Sequence, residues 1–591
     1  MKSLTLALAL AATSLSACAS AQSRAPAAPT GAPAAATPSA ETLAAVRARL
    51  PQDEVIYFVL PDRFENGDPS NDRGGLSGGP LQTGFDPAHK GFYHGGDLRG
   101  LINRLDYIQG LGATAIWVAP VFKNKPVQGG PGEESAGYHG YWVTDFTTID
   151  PHFGSDDDFR ELVDAAHARG MKVYMDIIAN HTADVITYTE GAAENFPYRS
   201  IADYPATAYT PVVPAAEAHV KVPDWLNDPR WYHNRGNSLF RNESSIMGDF
   251  VGLDDLATEN PRVIQGFIDI FGGWIDRFGI DGFRIDTARH VNPEFWQAFN
   301  PAMLERARAR GIPNFHIFGE VAIEEINPGA LARFTRVDHY PAVLDFAFQG
   351  AIRATIAGNQ SPALFERLFV GDALYEGGEA TALQLPTFLG NHDMGRIGTF
   401  IRQSNPGISD AEQLARLRLA NALMLTLRGV PTIYYGDEQG FVGDGNDQAA
   451  REDMFASRTA SYNDNDLVVT DATTAVANFD TDHPLYRTIA ELSAIRRALP
   501  ALRRGRQQLR TWSDEPGLFS VSRFDPDSGR EILLVFNTSN QPINGNVIVD
   551  AQSTRFTALA GPCPTTSSVP GSAAIALPAF GYMICAAEPS E

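Results

Sequence analysis

The chain has 591 residues, of which 44% are hydrophobic and 20% are charged, with 53 Gly and 39 Pro. This composition is ordinary for a globular protein and excludes collagenous, disordered and disulfide-dense classes. Seventy acidic against 47 basic residues give a net charge of −23, which would repel a phosphate backbone, so we expect no nucleic-acid partner.

Residues 1–17 are predicted to be a lipoprotein signal peptide. Residues 4–15 are apolar over the length of a signal-peptide hydrophobic region and are too few to span a bilayer. Residues 15–18, Leu-Ser-Ala-Cys, resemble the bacterial lipoprotein cleavage motif, in which the Cys becomes the lipidated first residue. The sequence therefore predicts export and a membrane anchor on Cys18. Ordinary cleavage beside an incidental Cys is the alternative, and it would leave a periplasmic or secreted protein.

Residues 18–52 are predicted to be a tether. Residues 19–40 are almost wholly Ala, Pro, Ser and Thr, so they hold too few large apolar groups to offset chain entropy. In lipoproteins generally, Ala19 after the Cys, rather than Asp, favours the outer membrane. We expect the folded part to be a monomer.

Residues 53–505 alternate short β-branched or aromatic runs with longer amphipathic ones, which is typical of βα units on a parallel sheet. Eight such runs fit a (β/α)₈ TIM barrel with long insertions, whose chemistry lies at the carboxyl ends of the strands. The predicted strands are residues 55–60, 114–118, 172–176, 282–286, 316–320, 343–346, 383–389 and 432–435.

Two further regions are predicted outside the barrel core. Residues 182–257, rich in Pro, Asn, Asp and Tyr, follow the third strand and are long enough to form an inserted subdomain. Residues 506–591 change to short alternating strands, which predicts a C-terminal antiparallel β-sandwich. Cys563 and Cys585 lie near its end, where export permits a disulfide, and the sequence leaves paired and free states equally open.

Acids, amides and imidazoles concentrate at the ends of four predicted strands. The segments are 176–181 (Asp-Ile-Ile-Ala-Asn-His), 281–290 (Asp-Gly-Phe-Arg-Ile-Asp-Thr-Ala-Arg-His), 318–320 (Phe-Gly-Glu) and 390–393 (Gly-Asn-His-Asp). An acid after one strand is more often the N-cap of the next helix. Four such segments on one face of a barrel indicate a catalytic site.

These four segments resemble the consensus regions of the α-amylase family of glycoside hydrolases. The resemblance extends over about residues 53–590. Residues 281–296 are particularly similar to true α-amylases, whereas residues 62–64, 94–97 and 138–142 also resemble cyclodextrin glucanotransferases and their amylase relatives. The resemblance implies a barrel with a subdomain after strand three and an α-glucan substrate, starch or maltodextrin.

The resemblance also implies a role for each acid. Asp286 matches the family's nucleophile, Glu320 its acid/base, and Asp393 the acid that binds ring hydroxyls and supports the transition state. Such a pair is what glycoside cleavage needs, and retention of configuration places the two carboxyls ~5–5.5 Å apart. Arg284 lies two residues before Asp286, hence on the same strand face, where its guanidinium can keep that carboxylate ionised.

Six further residues match sugar contacts of the family. They are His181 and His392 for ring hydroxyls, Tyr141 for stacking at the cleavage subsite, His139 beside it, and Arg289 and His290 near the leaving-group side. Barrel packing is the alternative for Tyr141. A solvated helix start is the alternative for Arg289 and His290.

The resemblance implies calcium as cofactor, at two sites. The first, which ties the subdomain to the barrel, matches Asn180, Asp255 and the backbone carbonyl of His290. The second, near the first strand, matches Asn66, Asp68, Asn71, Asp72, Gly95 and Asp97. Calcium prefers such oxygen donors, although an Asn- and Asp-rich turn also closes without metal.

Two departures from the family's patterns bear on specificity. Glucanotransferases carry an aromatic residue where Val251 falls, so its absence argues against cyclodextrin synthesis. Residues 258–260, Thr-Glu-Asn, resemble the cyclomaltodextrinase and neopullulanase branch, yet we expect no room before residue 53 for that branch's N-terminal β-domain. We predict a retaining, endo-acting α-amylase, with a cyclomaltodextrinase- or neopullulanase-like hydrolase or transglycosylase as the alternative. A non-catalytic glucan-binding lipoprotein is a further alternative; we would expect it to have lost Asp286 or Glu320, and both are present. A scaffold or adhesion role would not require three acids at separate strand ends.

Overall fold

The computed structural model describes residues 37–190, 208–238, 244–323 and 325–588. The predicted signal peptide, Cys18 and most of the tether lie outside these residues. Within them, no helix is both long and apolar enough to cross a membrane.

The predicted tether, residues 18–52, extends too far along the chain. Ala40–Ala48 is a helix capped by the Ser39 side chain, and its Val46 is buried. Arg47 donates a hydrogen bond to the carbonyl of Gly279, 3.4 Å away. The low content of large apolar groups holds for residues 19–40, but the next turns are held on the barrel by the buried Val46, by Arg47, and by Asn314, which donates to the carbonyls of Arg47 and Ala48.

Eight parallel strands form the barrel. They are β1 Ile56–Val59, β2 Ala115–Val118, β3 Lys172–Ile177, β4 Gly282–Ile285, β5 His316–Gly319, β6 Ala342–Val343, β7 Pro386–Phe388 and β8 Val430–Tyr434. Neighbours pair in the order β6-β5-β4-β3-β2-β1-β8-β7. Between the two end strands, the N–H of Asp345 donates to the carbonyl of Pro386 (2.9 Å), so the sheet is nearly closed. The predicted (β/α)₈ barrel is confirmed.

Amphipathic helices cover the outside of the barrel, which explains why every residue of β3 is buried. Pro261–Phe278 is typical: Asn260 caps its start, Pro261 occupies its first turn, and Gly279 ends it at φ 64°. The α-helices are Ala40–Ala48, Pro80–Thr83, Leu98–Asn103, Leu105–Gly110, Asp156–Ala168, Pro261–Phe278, Pro293–Ala309, Pro328–Arg336, Phe346–Ile352, Leu364–Val370, Glu379–Ala382, Ile397–Ser404, Asp410–Thr426, Pro484–Ala498 and Pro500–Arg504.

The insertions above the barrel consist of short strand pairs. Asp254–Asp255 pairs antiparallel with His181–Thr182, directly after β3, and this pairing joins the inserted subdomain to the barrel. The other short strands are Phe122–Asn124, Val127–Gln128, Ser135–Ala136, Val143–Ile149, Thr187–Tyr188, Pro211–Val212, Asn237–Ser238 and Asp249–Phe250.

The C-terminal region is a sandwich of antiparallel strands, as predicted. The strands are β9 Arg506–Trp512, β10 Leu518–Phe524, β11 Glu531–Asn537, β12 Ile543–Ile548, β13 Phe556–Ala560, β14 Ser572–Leu577 and β15 Tyr582–Ala587. One sheet has the order β9-β10-β11-β15-β13, and the other pairs β12 with β14. Leu533, Val547 and Ile575 pack between them. A disulfide joins Cys563 to Cys585 of β15, which settles the question the sequence left open.

Candidate active site

One buried guanidinium organises the carboxyl ends of three neighbouring strands. Arg284 of β4 is fully buried and lies 2.7 Å from Asp286, 2.9 Å from Asp176 and 3.1 Å from Glu320. Asp286 follows β4 directly, and Glu320 follows β5, because the strands are in parallel register and end at one rim. Asp176, in β3, was not among the predicted site residues, although its segment was. Only the barrel's closure shows that it shares this arginine.

The Glu320 carboxyl has a second, backbone partner. The N–H of Thr287 donates to Glu320 Oε2 over 2.9 Å. Thr287 has a φ of 45°, a left-handed conformation that a β-branched residue rarely adopts. The turn after Asp286 is thus strained, and its strained peptide is aimed at the neighbouring acid.

Burial and like charge raise the pKa values of these acids. Burial raises the pKa of Glu320 to about 7, Arg284 opposes the shift, and Asp286 and Asp393 add to it. Burial also raises the pKa of Asp286 to about 6, against the attraction of Arg284. One guanidinium cannot neutralise three buried carboxylates, so Glu320, with the higher pKa, holds a proton where Asp286 has lost its own.

Tyr141 links the arginine cluster to a buried imidazole. Its hydroxyl donates to Asp176 (3.1 Å) and lies 2.9 Å from His392 Nε2. Burial lowers the pKa of His392 well below its usual value, so this imidazole is neutral. The Tyr141 ring is parallel to that of His392 at 5.5 Å and is partly exposed to the cleft, which leaves a face for a sugar ring.

Asp393 is the most exposed of the acids, with 46% of its side chain accessible. Arg451 donates to its carboxylate over 3.0 Å and to the backbone carbonyl of His392 over the same distance. Arg63 in turn donates to the carbonyl of Arg451 (3.1 Å). Arg451 was not predicted, since no spacing in the sequence links it to a residue 58 positions earlier. It holds Asp393 in an orientation that faces Asp286 and Glu320.

A cleft of about 340 Å³ brings most of the predicted residues together. Its lining includes His139, Tyr141, His181, Asp286, Glu320 and Asp393, together with Phe250, Val251, Asp447, Gln448 and Arg451. Arg289 and His290 lie beside this lining: the His290 imidazole donates to the carbonyl of Ser245 (2.8 Å), and Arg289 donates to that of Ala322 (2.5 Å).

The first predicted calcium site has a donor set that fits a hard cation. Asn180 is buried, and among the described residues its Oδ1 has no hydrogen-bond donor. Asp255 lies beside it, since it pairs with His181 across the short strands. Burial lowers the pKa of His233, but Asp255 and Glu259 outweigh burial and raise that pKa to about 10. A protonated imidazole therefore contacts the Asp255 carboxylate at 2.6 Å.

The second predicted calcium site is a loop arranged around Asp97. This carboxylate accepts from the backbone N–H of Gly67 (3.0 Å) and Asp68 (2.8 Å) and caps the helix Leu98–Asn103. Asn66 Oδ1 and Asn71 Oδ1 are buried without a donor among the described residues. A further residue, Asp72, accepts from Asn66 Nδ2 over 2.8 Å, and a Cβ on Gly95 would lie 2.7 Å from it.

Both candidate sites combine carboxylates with amide and backbone oxygens. Across the ranges the structure describes, no three His, Cys, Asp or Glu side chains are arranged to hold a metal ion by themselves. An ion at either site would therefore depend on Asn and carbonyl oxygens, which suit calcium better than transition metals.

Comparison with known proteins assigns the chain to a family. The model of the alpha amylase catalytic domain matches residues 58–505. An alpha-amylase of Streptomyces lividans is 45% identical over 87% of this chain and 60% of its own length. A cyclomaltodextrin glucanotransferase of Klebsiella oxytoca is 30% identical over 82% of this chain and 70% of its own length. The crystal structure of an Anoxybacillus alpha-amylase superposes with a TM-score of 0.70 at 29% identity, covering 92% of this chain and all of that one.

The match covers most of the barrel, and the relatives cover most of the chain. The protein is therefore a member of the alpha-amylase family of glycoside hydrolases. It spans 60% of the length of its Streptomyces relative.

Proposed function

We propose that this member of the alpha-amylase family hydrolyses internal α-1,4-glucosidic bonds of starch and maltodextrins with retention of configuration. One observation carries the proposal: the Arg284 guanidinium holds both Asp286 and Glu320 at the floor of one cleft. A nucleophile that must be ionised and an acid that must be protonated are thereby placed beside the same scissile bond.

The chemistry follows from the two pKa values. Ionised Asp286 attacks the anomeric carbon while Glu320 gives its proton to the departing glycosidic oxygen, which breaks the carbon–oxygen bond and leaves a glycosyl ester on Asp286. Glu320, now ionised, takes a proton from a water molecule whose oxygen attacks the same carbon and releases Asp286. Asp393 faces the sugar hydroxyls, while the buried His392 contacts the hydroxyl of Tyr141. The positive charge of Arg284 keeps the leaving Asp286 carboxylate stable.

Calcium belongs to the proposal as a structural cofactor. Asn180, Asp255 and the His290 carbonyl would hold the first ion, and the loop around Asp97 would hold the second. When bound, calcium supplies a fixed positive charge that ties the inserted subdomain to the rim of the barrel.

Removal of calcium by a chelator should lower the melting temperature by several degrees, because a ligand that binds only the folded state stabilises it. In Asn180→Ala the chelator's effect should shrink. An equal effect on both proteins would exclude Asn180 as a ligand.

The chain has a second candidate activity, transfer of the glycosyl group to another sugar. The Klebsiella oxytoca relative, named as a glucanotransferase, supports it. Val251 opposes cyclisation, because this residue is 66% exposed at the cleft and offers no ring for a long glucan to curl around. Hydrolysis of linear bonds therefore ranks first.

From the N-terminal motif we propose an outer-membrane lipoprotein anchored through Cys18. If the Cys is not lipidated, the protein is periplasmic or secreted. Labelling of whole cells with a palmitate analogue should mark the wild-type chain and not Cys18→Ser. A monomer is expected by sedimentation.

The activity is tested by Glu320→Gln, which keeps the shape and removes the acid. Hydrolysis of maltoheptaose should fall by ~10²–10⁴-fold while glucan binding persists. Glu325→Gln, an exposed carboxyl on the same loop, is the matched control and should retain activity. Unchanged hydrolysis by Glu320→Gln would refute the assignment.

Substrate preference is tested by a product time course on soluble starch, β-cyclodextrin and pullulan. A rapid fall in iodine staining with slow attack on the other two is expected for an endo-acting amylase. Faster opening of cyclodextrin or pullulan would place the protein with the cyclomaltodextrinase-like enzymes.

A further inference from the structure

A second cavity opens beside the catalytic cleft, between the loops that follow β5, β6, β7 and β8. It measures about 910 Å³, larger than the cleft itself, and lies within the size range of ligand-binding sites. Ile323, on the loop after Glu320, lines one end, and Gln403, on the helix Ile397–Ser404, lines another. We call it the side groove.

The side groove and the cleft share a thin ridge. Asp393 lines the cleft and Met394 the side groove, and in the same way Asp447 lines the cleft and Asn446 the side groove. The N–H of Asp447 donates to the carbonyl of Asp393 over 3.0 Å, which joins the two halves of the ridge. A polymer bound in the cleft therefore passes one residue away from the side groove.

The chemistry of the side groove differs from that of the cleft. Its polar lining consists mainly of amides and hydroxyls, and among the described residues that line it Arg353 is the one charged side chain. The Arg353 guanidinium is not an isolated charge, since it stacks over the ring of Phe400 at 4.1 Å. The described residues of the lining include no carboxylate and Arg353 adds a positive charge, so the side groove does not suit a cation. Amides, hydroxyls and partly exposed apolar groups such as Met394 suit a neutral, polyhydroxylated ligand.

The outer wall of the side groove is held in an irregular conformation. Residues Arg353–Ala357 form a π-helical turn, a feature that occurs frequently at functional sites. Arg416 donates to the carbonyl of Ile356 (2.6 Å), and Asn405 donates to that of Ala357 (2.9 Å). Arg416 lies in the helix Asp410–Thr426 behind the wall, and Asn405 directly follows the helix Ile397–Ser404, so the side groove is preformed.

We propose that the side groove binds a second segment of the α-glucan, the branch that leaves the main chain while the main chain occupies the cleft. This inference rests on the proposed function, because it takes its ligand class from it. A branch is chosen because only one ridge separates the two cavities. One branched molecule can occupy the cleft and the side groove at once, which raises the effective concentration of its branch at the side groove. The protein then prefers branched glucans to linear ones of equal length.

The test fills the side groove with Gln403→Trp, a change at an exposed residue that leaves the cleft lining intact. The ratio of kcat/KM on amylopectin to kcat/KM on linear amylose should fall at least fivefold. Gln265→Trp, at an exposed position on the helix Pro261–Phe278, is the matched control and should keep the wild-type ratio. An unchanged ratio in Gln403→Trp would overturn the proposal.

A binding measurement separates this inference from the activity. In a Glu320→Gln background, affinity electrophoresis through glycogen should show at least fivefold weaker retention when Gln403→Trp is added. Retention that does not change would overturn the side groove, whereas wild-type protein that binds glycogen without cleaving any glucan would overturn only the proposed function. Added maltotriose distinguishes a branch from a separate chain. If maltotriose lowers the wild-type ratio of kcat/KM on amylopectin to kcat/KM on amylose to that of Gln403→Trp, the side groove binds a separate chain and a branch is refuted.

Discussion

Two buried arginines, Arg284 and Arg428, show how the same residue types serve different ends. Arg284 lies among Asp176, Asp286 and Glu320, three carboxylates for one guanidinium, at the floor of an open cleft. Arg428 precedes β8 and is shared between two carboxylates, those of Asp345 and Asp372.

The two carboxylates beside Arg428 make hydrogen bonds that stabilise the fold. Asp345 Oδ1 accepts from the N–H of Phe348 (2.9 Å) and caps the helix Phe346–Ile352, while Asp372 makes contacts of 2.7–3.0 Å with the guanidinium. At Arg284 the carboxylate excess instead leaves a proton on Glu320. At Arg428 two carboxylates share one guanidinium and one of them also caps a helix, whereas at Arg284 three carboxylates share one guanidinium and two of them line the cleft. A buried ion cluster therefore stabilises the fold when its carboxylates are bound by the chain itself, and supports chemistry when the excess carboxylates are open to a substrate.

The largest expected effect is loss of the nucleophile at the Arg284 cluster. Asp286→Asn should lower kcat on maltoheptaose by ~10⁴-fold or more, because no glycosyl ester can form. Reducing-sugar release measures it. Asp372→Asn, at the Arg428 cluster, is the control and should keep kcat per folded molecule. Substantial activity in Asp286→Asn would contradict the division between the two clusters.

At the Arg428 cluster the effect should be on stability. Asp345→Ala should lower the free energy of unfolding by about 3–5 kcal/mol, because it breaks a buried ion pair and removes an N-cap. Urea denaturation followed by fluorescence measures the change. Asp345→Asn, which keeps the cap, should lose less. A loss of kcat without loss of stability would show that this cluster acts on the chemistry.

Removal of the excess charge at the Arg284 cluster should stabilise the fold at alkaline pH. The folded-state pKa of Glu320 is raised to about 7, so the stability this group contributes is present below its unfolded pKa and is lost as the pH rises through about 7. Relative to wild type, the free energy of unfolding of Glu320→Gln should therefore rise by on the order of 1–3 kcal/mol from pH 4 to pH 8. Thermal unfolding at both pH values tests this, and a gain that is equal at both would refute it.

The smallest expected effect is at the link between the arginine cluster and His392. Tyr141→Phe removes a hydroxyl that donates to Asp176 and contacts His392, but leaves the ring for stacking. The value of kcat/KM should fall about tenfold, as for loss of one hydrogen bond to a charged group. Steady-state kinetics on maltoheptaose measures it. A fall as large as that of Asp286→Asn would make Tyr141 part of the bond-breaking step.

The sequence was most informative where chain-local signals exist. Asp286 and Glu320 each follow a hydrophobic run and stand in segments that resemble the α-amylase family, and Arg284 shares a strand face with Asp286. Asp176 and Arg451 were not predicted, since their roles depend on neighbours that are distant along the chain. The tether boundary was also wrong: Ala40–Ala48 is held by Val46, Arg47 and the distant Asn314, and composition does not detect such contacts.

The sequence by itself determined the eight βα units and the C-terminal change to alternating strands, because each depends on periodicity within one segment. The roles proposed for Asp286 and Glu320 rest on the resemblance of their segments to the α-amylase family. Only the tertiary structure decided which side chains share a guanidinium, that Cys563 pairs with Cys585, and that the side groove lies one ridge from the cleft. Electrostatics and cavities arise from groups brought together across the barrel, and the distances that set them exist only after the strands have closed.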